Sequence, residues 1–265
     1  MILKKWISTL IVALASVTLV ALSSPVAAQA PQPGTNHGLA AMDRAAKANK
    51  YLFIFFYGQD DPQTRSLSQV FNDATNAMAA RADSIAIRVN DPSEGGIVAK
   101  FGVSQALMPL VLVLAPNGAA TASFPGNFTR EQLLGGFGTP CMERLLGAMQ
   151  QGKLVVLCVQ NGRTRSNTEA MSGVRAFKAD QRYSAATEVL MMDPNSAAER
   201  PLMAKLGMNA PVEEATTLLM APPGSVIGTF KGATDKDQII TTLTKAIASC
   251  ATGCQPGGQC CPTAK

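Results

Sequence analysis

Histidine, aromatic residues and charge are all scarce in this sequence of 265 residues. The one histidine, His37, lies near the N-terminus, which argues against a histidine-rich zinc centre, a paired-histidine metalloprotease or a Ser/His/Asp triad in the folded body. Aromatic residues make up 5% and charged residues 15% of the chain, whereas 47% is hydrophobic. This balance is opposite to that of a disordered chain. The length fits one large domain or two of about 100–130 residues, with cores of Val, Leu, Ile, Met and Ala.

Residues 1–30 have the pattern of a secretory signal peptide. Lys4 and Lys5 form a positive segment, residues 6–22 are apolar apart from Ser and Thr, and the small residues at 27–30 offer A-x-A cleavage sites. The predicted cut follows Ala30, with a cut after Ala28 as second choice and an uncleaved anchor as the alternative. We therefore expect an exported protein, periplasmic or extracellular, that has no membrane segment after cleavage.

The charge of the mature chain is small. Cleavage would remove Lys4 and Lys5, so the formal net charge falls from +5 to about +3. A charge of this size is too weak to indicate nucleic acid as a partner, and export makes such a partner less expected still.

The rest of the chain contains one pattern twice. Five pairs of landmarks recur in order at offsets of 102 to 106 residues: Asp91-Pro92 and Asp193-Pro194, Ala99–Gly102 and Ala204–Gly207, Ala115–Gly118 and Ala221–Gly224, Phe124–Gly126 and Phe230–Gly232, and Gln132-Leu133 and Gln238-Ile239. Five matches in register argue for a duplication. Each copy reads as strand, helix, strand, helix, strand, strand, helix, which predicts an α/β unit with a mixed sheet flanked by helices.

The repeat divides the chain into segments. We predict a flexible lead-in at 31–38, a first domain at 39–148, a second domain at 149–249 and a Cys-rich tail at 250–265. Tyr51–Tyr57 and Lys153–Val159 are near-continuous apolar runs, which predicts a central strand buried on both faces in each copy. Thr129 and Asp235 are the predicted starts of the two closing helices.

The first copy resembles thioredoxin. The stretch Tyr51–Gln63 aligns without gaps with the family's strand and active-site motif, which ends in Trp-Cys-Gly-Pro-Cys. In this alignment Asp60 and Gln63 stand where the two cysteines would be, and Pro62 matches the proline of the motif. The segment Lys100–Leu110 is similar to the one that holds the family's cis-proline, which implies that the Met108–Pro109 peptide bond is cis. The resemblance covers about residues 40–145 and, through the repeat, about 150–248.

The resemblance implies two thioredoxin-like domains in tandem, each a central mixed sheet flanked by helices and lacking the Cys-x-x-Cys pair. The second copy departs further from the family. Its first strand is followed by Gln160–Ser166, which contains no cysteine, and its cis-proline position falls on either Pro211 or Ala215.

Two interpretations of the altered motif stay open. Neither Asp60 nor Gln63 can supply the thiolate that attacks a disulfide or the thiol that resolves it. Asp60 or Asp61 would serve as the N-cap of a helix that begins near Pro62, and capping alone accounts for the pair. The alternative is a groove that binds an extended polypeptide or another exported protein without reacting, formed by Asp60, Asp61, Pro62, Gln63, Met108 and Pro109. We predict a redox-inactive protein with a binding or scaffolding role.

The six cysteines suggest a rival function. Cys250, Cys254, Cys260 and Cys261 crowd into a Gly- and Pro-rich tail, where disulfides are the leading interpretation in an oxidising compartment. Zinc or copper(I) held by the four thiolates, and free thiols, are the alternatives. The rival is therefore a thiol-disulfide oxidoreductase or soft-metal-binding protein that acts through the tail. Cys158 is expected to be buried in a strand, and Cys141, at a helix start, to be partly exposed.

Overall fold

The structure is a computed structural model that describes residues 36–251. The predicted signal peptide, the lead-in up to residue 35 and the tail cysteines Cys254, Cys260 and Cys261 lie outside the described residues. Within 36–251, no helix combines the length and the apolar character that crossing a membrane requires.

The chain builds two four-stranded sheets from the same order of elements. The first is formed within α1 (His37–Lys47), β1 (Tyr51–Tyr57), α2 (Pro62–Ala77), β2 (Ala82–Arg88), α3 (Gly95–Phe101), β3 (Leu110–Leu114), β4 (Ala120–Pro125) and α4 (Arg130–Leu134). The second is formed within α5 (Pro140–Gln150), β5 (Leu154–Val159), α6 (Asn167–Ala179), β6 (Thr187–Met192), α7 (Arg200–Lys205), β7 (Thr216–Ala221), β8 (Ser225–Lys231) and α8 (Lys236–Ala251).

Both sheets have the same topology. The strand orders are β2-β1-β3-β4 and β6-β5-β7-β8. The first two strands of each unit pair in parallel, and the other neighbours pair antiparallel. The predicted fold class, two thioredoxin-like α/β units with mixed sheets, is confirmed.

The central strands are buried on both faces because their apolar runs have no polar alternate positions. In β1, Phe53 and Phe55 face α2, where the centroid of the Phe71 ring lies 5.4 Å from that of the Phe55 ring. Ile54 and Phe56 point to the opposite face, toward α1 and α3. In the second unit the same two faces are covered by α6 with α8 and by α5 with α7.

The helix α5 opens the second unit, so the predicted domain boundary at 148/149 falls inside a helix. Like α1 it has 11 residues, and it precedes its central strand through a similar turn. That turn holds Asn49 (φ 52°) in the first unit and Gly152 (φ 75°) in the second. The sequence predicted one helix start at Thr129 and another at Cys141, and the structure has both: α4 ends at Leu134, and α5 begins at Pro140, capped by Thr139.

A second use of α5 is to hold the two units together. Its apolar side packs against the sheet of the second unit through Cys141, Leu145, Ala148 and Met149. On its polar side, the Gln150 amide donates to the Ala120 carbonyl (2.8 Å) and accepts from the Ala120 N–H (2.9 Å), at the outer edge of β4. The Asn117 amide also donates to the Glu143 carbonyl (2.9 Å). The helix is therefore shared between both sheets.

Candidate binding edge of the first unit

The start of α2 is a capped helix N-terminus without a thiol. The Asp61 side chain accepts from the Thr64 N–H (2.7 Å), and Pro62 occupies the first helical turn. That backbone hydrogen bond holds the pKa of Asp61 below its usual value. Asp60 is exposed and makes a loose ion pair with Arg65 (3.7 Å). The prediction of a capping aspartate is confirmed, and Asp61 rather than Asp60 fills the role.

A short chain of contacts joins α2 to the Pro109 segment. The Gln63 amide donates to Asn127 Oδ1 (3.2 Å), in the loop after β4. The preceding residue, Gly126, donates its N–H to the Pro109 carbonyl (2.8 Å). The Met108–Pro109 peptide bond is cis, as the resemblance implied. The structure thus connects Gln63 with Pro109, whereas Asp61 bonds Thr64 and Asp60 pairs with Arg65, and neither reaches that segment within residues 36–251.

The residues before Pro109 form an open stretch of backbone. Within the described part of the chain, no protein group bonds the N–H or C=O of Leu107 or Met108. The Leu107 side chain is 68% exposed and lies beside Gly126, where an added Cβ would come within 3.1 Å of Leu107 Cδ2. Met108 packs partly buried against the first core. We call residues 107–109 the docking edge of the first unit.

The second unit has the same stretch of backbone, but there a loop pairs with the Glu213 carbonyl and the Ala215 N–H, while the Glu213 and Glu214 N–H groups bond no protein group within residues 36–251. The Gly232 N–H donates to the Ala215 carbonyl (2.8 Å), as Gly126 does to Pro109, so Ala215 and not Pro211 takes the place of Pro109. The Arg165 N–H donates to the Glu213 carbonyl (2.9 Å), and the Ala215 N–H donates to the Arg165 carbonyl (2.9 Å). We call residues 213–215 the closed edge.

The loop that carries Arg165 is held by a network that the sequence reading missed. The Asn161 amide donates to Asp193 Oδ1 (2.8 Å), and the Asn167 amide donates to the Asn161 carbonyl (2.7 Å). The buried Thr164 hydroxyl donates to Asn167 Oδ1 (2.6 Å). The sequence signal was present as Asn-Gly-x-Thr after a buried strand, since Asn and Thr side chains commonly bond nearby backbone in turns. A second cis bond, Pro222–Pro223 in the β7–β8 turn, was also not predicted.

The two cysteines whose side chains are described are buried. Cys158 is 2% exposed, as predicted, but Cys141 is 5% exposed, so the expectation of a partly exposed thiol is wrong. The reason is that Cys141 lies on the side of α5 that packs in the second core. Burial raises the pKa of both thiols to about 11, with the Glu199 carboxylate adding to the effect at Cys141. Neither thiol carries appreciable thiolate at neutral pH.

The tail predictions lie almost entirely outside the described residues. The backbone of Cys250 belongs to the last turn of α8, which ends at Ala251. Among the described side chains, no three His, Cys, Asp or Glu residues are grouped as metal ligands would be. Zinc or copper(I) at Cys250, Cys254, Cys260 and Cys261 stays a prediction.

Comparison with solved structures finds thioredoxin-fold proteins. The chain is similar to oxidized thioredoxin O2 of Arabidopsis thaliana, with 15% identity, a TM-score of 0.31 and coverage of 45% of this chain and 89% of the other. It is similar to the germline-specific thioredoxin Deadhead of Drosophila melanogaster, with 17% identity, a TM-score of 0.31 and coverage of 38% and 91%. It is also similar to a disulphide isomerase of Xylella fastidiosa, with 16% identity, a TM-score of 0.32 and coverage of 43% of this chain and 95% of the other.

The other two comparisons find no relative: no family model and no curated protein matches this sequence. At the identities and scores of the structural matches, no activity or residue role is carried over to this chain. The class that its own strand order defines is a tandem thioredoxin-like α/β protein. In the sequence, no cysteine stands between the first strand and the second helix of either unit.

Proposed function

We propose that this chain is an exported, redox-inactive tandem thioredoxin-like protein that binds an extended polypeptide along the docking edge of its first unit. The observation that carries the proposal is the free backbone of Leu107 and Met108, whose N–H and C=O groups bond no protein group within residues 36–251. An unpaired backbone edge is what an extended peptide recognises when it adds a strand to a sheet protein.

Two residues beside this backbone fit the same role. Leu107 offers an apolar contact that is 68% exposed and lies directly beside the unpaired backbone. Gly126 beside it has no side chain, so the backbone of a partner can approach without meeting a Cβ. Main-chain hydrogen bonds would provide most of the affinity, and Leu107 would select an apolar residue in the partner.

The binding would be noncovalent. Asp60 and Gln63 stand at the two positions aligned with the cysteines, and neither a carboxylate nor an amide supplies the thiolate that attacks a disulfide. The thiols of Cys141 and Cys158 are buried with raised pKa values. Any disulfide chemistry would therefore have to come from the tail cysteines, which is the rival function.

Binding is tested with reduced, carboxymethylated α-lactalbumin, an unfolded polypeptide with blocked thiols, labelled with a fluorophore and followed by anisotropy. Leu107→Asp should weaken binding by about tenfold or more, because it places a charge against the apolar partner residue. The matched control is Ile247→Asp, since Ile247 on α8 is 60% exposed. Absence of binding by the natural chain, or equal loss in both variants, would contradict the proposal.

The rival function is tested by insulin reduction with dithiothreitol as the electron donor. The full chain should give no more turnover than a Cys250→Ser/Cys254→Ser variant, and both should match the rate without protein. Turnover that disappears in the variant would assign the activity to the tail instead. Mass spectrometry of the alkylated and unalkylated full chain then gives the disulfide count, any retained zinc or copper, and the cleavage site.

A further inference from the structure

We propose that the second unit closes its own docking edge with Arg165, so that the chain offers a partner one edge, in the first unit. The part of this inference that concerns a partner rests on the proposed function. The closure itself does not, because it is a property of the free protein.

The closure consists of two backbone hydrogen bonds on either side of Glu214. Arg165 donates to the Glu213 carbonyl and accepts from the Ala215 N–H, both at 2.9 Å, as one residue of a parallel strand would. Glu213 is the counterpart of Leu107. The Glu213 carbonyl is therefore paired in the second unit, whereas the Leu107 carbonyl stays free in the first. Arg165 therefore occupies the position of a partner residue that would pair with the Glu213 carbonyl and the Ala215 N–H.

The side chains around Glu214 suit this closed state. Its carboxylate accepts from the Ser166 hydroxyl (3.4 Å) and lies against Gly232, where an added Cβ would come within 2.6 Å of Glu214 Oε1. The Arg165 guanidinium also lies 3.9 Å from the Glu213 carboxylate, though both are exposed, so this pair adds little. Backbone pairing, and not charge, holds Arg165 against the edge.

Two sequence differences explain why the first unit stays open. Pro109 has no N–H, so the bond that Ala215 donates to Arg165 cannot be made at this position in the first unit. The connection is also shorter: residues 58–61 join β1 to α2, whereas residues 160–166 join β5 to α6. The longer loop is fixed by the Asn161, Thr164 and Asn167 network, which positions Arg165 against the edge.

Amide hydrogen exchange of the full chain, followed by NMR, tests both parts. In the free protein the Arg165 and Ala215 amides should exchange about 100-fold more slowly, relative to their intrinsic rates, than those of Leu107 and Met108. Saturating carboxymethylated α-lactalbumin should slow at least one of the Leu107 and Met108 amides and leave Arg165 and Ala215 unchanged.

The outcomes separate the two claims. Unprotected Arg165 and Ala215 amides in the free protein, or further slowing of them by the probe, would overturn the closure. Protected Arg165 and Ala215 amides with no effect of the probe at Leu107 or Met108 would leave the closure standing and contradict the proposed function.

A variant pair sharpens the test. Ala215→Pro removes the donor and copies the first unit, so the Arg165 amide should lose about tenfold or more of its protection, and the Glu213 or Glu214 amide should become sensitive to the probe. Ala215→Gly keeps the donor and should behave like the natural chain. Slow exchange of the β5 amides reports whether the Ala215→Pro variant folds. If this variant does not fold, the exchange pattern of the natural chain still tests the closure. Unchanged Arg165 protection in a folded proline variant would contradict the closure.

Discussion

The two units share a scaffold but differ at the ends of their central strands. In each, a glutamate follows the second strand and caps the first helix of the unit: Glu94 for α1 and Glu199 for α5. In contrast, one docking edge is open and the other is paired with Arg165. Packing in the sheets and helices therefore sets the fold of both copies, while short loops and a single proline set which backbone groups each edge leaves unpaired.

The largest expected effect concerns the second unit alone. In α6, an added Cβ at Gly173 would lie 1.7 Å from the Thr234 carbonyl oxygen, which belongs to backbone just before α8. Gly173→Ala should therefore lower the free energy of unfolding by about 3 kcal/mol, because α8 must move away. The measurement is urea denaturation followed by circular dichroism. Gly162→Ala is the control, since a Cβ there meets nothing within 4 Å, and equal effects of the two variants would contradict the argument.

The two capping glutamates should respond differently to one substitution. Glu94 uses both carboxylate oxygens, accepting from the N–H groups of His37 (3.0 Å) and Gly38 (2.9 Å). Glu199 uses one, accepting from Cys141 (2.9 Å), because Pro140 has no N–H to donate. Within the described residues, the buried Oε2 of Glu199 has no partner.

From this difference, Glu94→Gln should destabilise the protein by about 1–3 kcal/mol, since a new amide NH₂ would face a backbone N–H. Glu199→Gln should cost less than about 1 kcal/mol, because the amide can replace the unpartnered oxygen. Urea midpoints of the two variants decide the matter. A larger loss of stability for Glu199→Gln than for Glu94→Gln would contradict this argument.

The contact between the units should make a small contribution. Gln150→Ala removes both hydrogen bonds to Ala120 and should lower the free energy of unfolding by about 1 kcal/mol, since the site is exposed. Gln151→Ala, at the neighbouring exposed position, should have no measurable effect. If the unit junction has no role in stability, the two urea curves will coincide. The counterpart of Gln150 in α1 is Lys47, so α1 does not repeat this contact.

The smallest effect is a pH dependence confined to the second unit. Asp180 accepts from the Arg182 guanidinium (2.8 Å) and the Lys236 ammonium (2.9 Å), and these partners hold the pKa of Asp180 well below its usual value. A carboxyl with a lowered folded-state pKa stabilises the protein above its unfolded pKa of about 3.9, and this contribution is lost as the pH falls.

Asp180→Asn should therefore flatten the loss of stability between about pH 5 and pH 2. Urea midpoints measured across that range test this, with Asp237→Asn, an exposed neighbour in α8, as the control. Parallel curves for the natural chain and Asp180→Asn would mean that the ion pairs of Asp180 with Arg182 and Lys236 add nothing to the stability.

Much of the fold was predictable because it follows from apolar periodicity. The predicted strands Tyr51–Tyr57 and Leu110–Leu114 coincide with β1 and β3. The predicted boundary at 148/149 falls within α5, because a helical composition around 140–150 does not tell which of two cores buries the helix. The same limit explains Cys141, whose burial depends on packing against strands far along the chain.

The candidate site was predictable only in part. The capping by Asp61 follows from local sequence, and the Met108–Pro109 geometry followed from the resemblance. The open backbone at Leu107 and the closure by Arg165 were not predicted, because each depends on which distant loop reaches the edge. The offset between the two copies grows from 102 residues at Asp91-Pro92 to 106 at Ala115–Gly118, which left the choice between Pro211 (offset 102) and Ala215 (offset 106) undecided.

The most direct test of the central claim is site-specific photo-crosslinking of the full chain. A benzoylphenylalanine is placed at position 107 or at its counterpart 213, and each protein is irradiated with labelled carboxymethylated α-lactalbumin. We expect a crosslinked product at Leu107 that is about tenfold more abundant than at Glu213, because the first edge is free and the Glu213 carbonyl is paired with Arg165. Equal yields at the two positions, or no product at 107, would contradict it.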